Sequence, residues 1–78
     1  MQETPEIHIG NIICTHLKKE GRSIAWLAGQ LSVNRSNLCR QLNTQAHLHC
    51  ELLYKISMVL QVDFFQHYTI FLEKQGVL

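Results

Sequence analysis

The stretch Ser23-Ile24-Ala25-Trp26-Leu27-Ala28-Gly29-Gln30-Leu31-Ser32-Val33-Asn34-Arg35-Ser36-Asn37-Leu38-Cys39-Arg40 decides the fold. Ser23 can accept hydrogen bonds from the first N–H groups of a helix, and Ile24, Leu27, Ala28 and Leu31 follow it at the i, i+3, i+4, i+7 spacing of a buried stripe. Ser32-Val33-Asn34 then places a turn former, a β-branched residue and a second capping residue side by side, so the helix stops. Asn34 opens the next helix, predicted over 35–42, whose inward residues are Leu38 and Leu42. Two short helices joined by so tight a turn predict a helix-turn-helix arrangement.

Working outward, Ile9, Ile12, Ile13, His16 and Leu17 share one face of a helix predicted over about 8–20, opened by Thr4-Pro5 or the Gly10 region. Lys18 and Lys19 suit its C-terminus and Gly21 its stop. Beyond the central stretch, Asn43 to His49 reads as a polar loop. A fourth helix carries Leu52, Leu53, Ile56, Val59 and Leu60 on one face. Asp63 is a capping residue for a short fifth helix bearing Phe64, Phe65 and Tyr68. Ile70-Phe71-Leu72 fits a helix or a strand equally. The expected fold is all-α, a compact five-helix domain over 1–68 with the helix-turn-helix at about 23–42 and a C-terminal extension over 69–78.

Size and charge narrow the function. The 78 residues, 46% hydrophobic with one proline and four glycines, suffice for a single core. No run approaches the roughly 20 apolar residues of a membrane-spanning helix, and the acidic first residues are unlike a secretory signal, so the expected location is the cytoplasm. Cys14, Cys39 and Cys50, odd in number and widely spaced, predict reduced thiols. The net charge of +1 hides an uneven distribution. Residues 1–6 carry −2, residues 7–50 carry +4 through Lys18, Lys19, Arg22, Arg35 and Arg40 against Glu20, and residues 51–78 carry −1.

On a helix with Leu38 inward, Ser36, Arg40 and Asn43 point outward, with Asn37 and Cys39 flanking them. Arg35 sits on the first turn, the end that enters the major groove when such motifs dock on DNA. Arginine pairs bidentately with guanine O6 and N7, which makes Arg35 and Arg40 the expected base readers. Arg22, Ser23 and Asn34 lie at helix N-termini, where amide donors and a guanidinium favour phosphate oxygens. Asn43 and Asn37 can reach bases or phosphates. Losing Arg40 should cost about 1–3 kcal/mol and relax one base preference.

The Leu27-Ala28 pair and Arg35-Ser36-Asn37-Leu38, with Glu51 to Ile56, Leu60 and Val62-Asp63-Phe64-Phe65 following without a gap, resemble the Cro/C1-type (Xre-family, lambda-repressor-like) helix-turn-helix over roughly 9–68. The resemblance implies a DNA-binding transcriptional regulator in which Arg35, Ser36 and Arg40 contact bases. Three positions depart from that pattern. Ser32 stands in place of the turn glycine, Leu42-Asn43-Thr44 replaces an acidic-Asn-Gly stretch, and Leu48-His49 replaces a proline and a small hydroxyl cap. Ser32 must therefore either adopt positive φ at a cost or use another turn.

The remaining features point less directly to chemistry. His47, His49 and Cys50 are zinc-ligand types, yet Cys50 is in phase with the inner face of the fourth helix and no second compact ligand pair exists, so no metal or other cofactor is expected. Cys39 beside the DNA-facing surface would block binding if oxidised. Trp26 leans outward and can pack under the C-terminal extension or mark a contact surface. Phe64, Phe65 and Tyr68 read as core. The apolar ending, with Ile70, Phe71, Leu72, Val77 and Leu78, suggests a homodimer contact. No phosphate loop, paired carboxylates or nucleophile with its base is present, so the chain is not expected to be an enzyme. The expected function is sequence-specific binding of double-stranded DNA as a repressor. The alternative is an antitoxin or adaptor that holds a protein through Trp26 and the apolar ending.

Overall fold

In the computed structural model, which describes residues 7–78, five helices follow in order: α1 (Ile9–Lys19), α2 (Ile24–Leu31), α3 (Arg35–Thr44), α4 (Cys50–Leu60) and α5 (Gln66–Lys74). The described residues contain no strand, and none of their helices is long and apolar enough to cross a membrane. The starts are set by side chains. His8 Nδ1 accepts from the Asn11 N–H at 3.1 Å, Ser23 Oγ from Trp26 N at 3.0 Å, and Asn34 Oδ1 from Asn37 N at 3.0 Å. Each satisfies one donor that a helix N-terminus leaves without an intrahelical partner. Thr4 and Pro5, expected to help open α1, lie outside the described residues.

The stops of α1, α2 and α4 share one geometry, whereas α3 ends on an extended Gln45. After α1, Gly21 takes φ +70, its N–H bonds to the Lys18 carbonyl and the Arg22 N–H reaches the Leu17 carbonyl at 2.8 Å. This is the Schellman arrangement, in which a left-handed residue turns two amides back onto the last carbonyls. Ser32 does the same after α2 with φ 57, as Val33 N–H bonds to the Ala28 carbonyl at 3.0 Å. Of the two options open at Ser32, positive φ is the one realised. Gln61 closes α4 likewise, with φ 56 and Val62 N–H on the Ser57 carbonyl.

α3 runs two residues beyond the predicted 42, where no helix breaker intervenes, and Thr44 Oγ1 in its last turn donates to the Arg40 carbonyl at 2.6 Å. Asn43 is thus helical rather than the start of the loop. The fifth helix differs more. Asp63 Oδ1 accepts from Phe65 N at 3.0 Å, which folds Phe64 and Phe65 into a turn instead of a helix. α5 begins at Gln66 and continues through Ile70-Phe71-Leu72, so most of the 69–78 extension belongs to a helix.

The core comprises Ile9, Ile13 and Leu17 from α1, Leu27 and Ala28 from α2, Leu38 and Leu42 from α3, Leu53, Ile56 and Leu60 from α4, and Phe64. α1 packs on α3, and α2 on both α3 and α4. The α1–α3 crossing is exceptionally close. A Cβ added at Gly10 would fall on the Leu42 carbonyl, and the Ile9 N–H donates to the Ala46 carbonyl at 2.8 Å. Gly10, in the opening turn of α1 as expected, is also the seat on which α3 rests. Cys50, expected on the inner face of α4, is exposed. As the first residue of that helix it overhangs the core, which begins one turn later at Leu53.

Candidate nucleic-acid interface

α3 is fixed on its inner side by Leu38 and Leu42, which are 2% and 0% exposed, and at its start by the Asn34 cap and the left-handed Ser32 turn. Its other face presents Arg35, Ser36, Asn37, Arg40 and Asn43, all exposed, with Cys39 half-buried at the margin. Among the described residues neither Arg35 nor Arg40 pairs with a carboxylate. Both guanidiniums stay available to an outside anion or base edge. Arg40 is not idle, since its Nη2 donates to Asn37 Oδ1 at 3.2 Å. Asn43 Nδ2 donates to Cys39 Sγ at 3.2 Å, which leaves the Asn43 side-chain carbonyl and the second Nδ2 proton unengaged.

The side chains expected to meet phosphate are partly engaged within the chain. Ser23 and Asn34 spend their acceptor oxygens on caps, so the Ser23 hydroxyl proton and the Asn34 amide protons are what they offer a phosphate. Arg22 lies with its guanidinium carbon 4.0 Å from the Trp26 ring centroid and its Nε 3.8 Å from Glu20 Oε1. A cation over an indole face is held by the ring quadrupole, so Arg22 is placed beside the N-terminus of α2 rather than free in solvent. Trp26 is accordingly half-buried. It borders a cleft with Glu20, Arg22, Val59, Leu60 and Gln61, whereas Ile70 and Phe71 of the C-terminal extension line another with Ile7 and Ile12.

Sequence reasoning missed a cleft beside the exposed face of α3, in which Asn34, Asn37, Gln41, Gln45 and His49 border an apolar surface of Val33, Leu38 and Leu52. The row of amides at i, i+3 and i+7 along α3 was the signal. His49 and His47 have structural partners: His49 Nδ1 accepts from Glu51 N at 3.3 Å, and His47 Nδ1 meets the Tyr68 hydroxyl at 2.8 Å, tying the loop after α3 to α5. Among the described residues no three His, Cys, Asp or Glu side chains converge as a metal site. Burial pushes the Cys14 thiol pKa up, and the neighbouring Cys39 adds to the rise while Lys18 opposes it. Burial likewise raises the Tyr68 phenol. No known family, curated protein or solved structure was found to match this chain.

Proposed function

We propose that the protein is a sequence-specific binder of double-stranded DNA that acts in the cytoplasm as a small transcriptional repressor, with α3 in the major groove. The observation that carries this reading is the polar face of α3, held rigidly by two buried leucines and bearing two arginines without carboxylate partners. Arg35, Ser36 and Arg40 address base edges. Arg22, Ser23, Asn34 and the N-terminus of α2 address the backbone. The resemblance to Cro/C1-type domains supports the same assignment. A binding role rather than catalysis fits a face of guanidiniums, amides and hydroxyls without a nucleophile–base pair.

Ile70 and Leu72 on α5 are exposed apolar side chains. A second copy docked there so that two α3 helices stood about 34 Å apart, one turn of duplex, would make the preferred site a pseudo-palindrome. The adaptor alternative draws less support, because Trp26 and the apolar residues of α5 border separate clefts.

The test is selection of bound duplexes from a random pool, repeated with Arg35→Ala and Arg40→Ala. A consensus that loses a base preference in each variant supports the reading. Identical consensus sequences in all three proteins reject the assignment of base readout. Absence of duplex binding in dilute buffer rejects DNA binding, since phosphate contacts strengthen as salt falls.

A further inference from the structure

Asn37 and Arg40 lie one turn apart on the exposed face of α3 and are joined by a hydrogen bond from Arg40 Nη2 to Asn37 Oδ1. The Asn37 backbone is itself pinned, its N–H donating to the Asn34 side chain at 3.0 Å. Among the described residues no acidic group competes for the guanidinium. We infer that Asn37 is a positioning residue for Arg40, so that the pair reads a single guanine as one unit, and that Arg40 in turn withholds Asn37 from adenine. This inference rests on the DNA-reading assignment of α3.

The chemistry follows from the donor and acceptor inventory. A guanidinium has five N–H groups in a fixed plane, and one on Nη2 is given to Asn37. The second Nη2 proton remains as one arm of a parallel fork, completed by the Nη1 or the Nε proton on its side, and guanine N7 and O6 accept such a pair. An asparagine recognises adenine with both ends of its amide, accepting from N6 and donating to N7. With Oδ1 turned toward Arg40, Asn37 does not present that fork. The long arginine side chain, otherwise free to sample many rotamers, is held near its reading orientation before DNA arrives. Guanine specificity at this step therefore depends on a residue that need not touch the guanine.

The experiment is duplex selection and competition binding with the wild type, Asn37→Ala, Asn37→Asp, Arg40→Ala and the double variant N37A/R40A. In the wild type one guanine should be preferred, and Arg40→Ala should reduce that preference by roughly ten- to a hundredfold. In the same variant the freed Asn37 should shift the step toward adenine. Asn37→Ala should weaken the guanine preference severalfold, and the double variant should be no worse at that guanine than Arg40→Ala alone. Asn37→Asp keeps the oxygen that holds Arg40, so it should retain the guanine preference while lowering affinity for all duplexes. In the free protein, nitrogen-detected NMR of the Arg40 side chain should show hindered guanidinium rotation that Asn37→Ala releases. Unchanged guanine preference in Asn37→Ala overturns the coupling and leaves the DNA reading intact. So does a wild-type adenine preference that only Asn37→Ala abolishes. A wild type that binds no duplex in dilute buffer overturns both.

Discussion

Replacing Gly10 with alanine and Gly29 with alanine makes the same chemical change in two helices and should move stability in opposite directions. Around Gly29 nothing lies within 4 Å of the added methyl, so the substitution is left with its effect on helix propensity, a gain of about 1 kcal/mol. At Gly10 the methyl lands on the Leu42 carbonyl, which is backbone inside α3 and cannot swing away. The helices must separate, at an overpacking cost of about 1–3 kcal/mol. The Ile9 N–H bond to Ala46 stretches with them, adding about 1 kcal/mol. After the same propensity gain of about 1 kcal/mol is subtracted, the net expectation is a loss of about 2 kcal/mol for Gly10→Ala. For a domain of this size each kcal/mol shifts Tm by roughly 4–8 °C, so the variant should melt roughly 8–16 °C lower and Gly29→Ala several degrees higher. Urea titration and thermal melts followed by circular dichroism measure both. Gly10→Ala as stable as the wild type would refute the close α1–α3 crossing.

Other expectations address the caps, the backbone contact and titration. Ser32→Gly should stabilise the domain by about 1 kcal/mol, because serine at φ 57 bears a steric cost that glycine avoids, and urea midpoints will report it. Arg22→Ala should weaken binding to all duplexes alike and make the log–log slope of affinity against salt shallower by about 1, with the base consensus unchanged. The Tyr68 phenol keeps its proton to higher pH in the folded chain than in the unfolded one, so the folded state binds more protons in alkaline solution. Its contribution is fully present below pH 10 and is lost as pH rises through and beyond that value, and Tyr68→Phe should flatten the alkaline stability curve measured by urea titration.

The helix-turn-helix and its inward leucines were legible because capping and periodicity are local. Ser23 and Asn34 cap their helices as their side chains allow, and Leu38 and Leu42 point to the core as a 3.6-residue repeat requires. Features set by another part of the chain were not. Nothing near Gly10 in sequence reveals that α3 will press its backbone there. Asp63 is a good helix cap by type, and only the burial of Phe64 beneath the other helices favours the turn it makes instead. Cys50 follows the phase of its helix yet lies past the edge of the core. On the proposed interface, the outward directions of Arg35, Ser36 and Arg40 followed from angle alone. The Asn37–Arg40 bond and the stacking of Arg22 on Trp26 are choices among rotamers, which spacing permits but does not select.

α5 contributes no fully buried side chain, and the last core residue is Phe64, just ahead of it. The scaffold that holds α3 is therefore complete before the final helix begins. That helix is a veneer, leaning on the body through half-buried Tyr68 and Phe71 and the His47 bond. Mutational drift there costs little of the framework, so this end can be retuned while α3 keeps its shape.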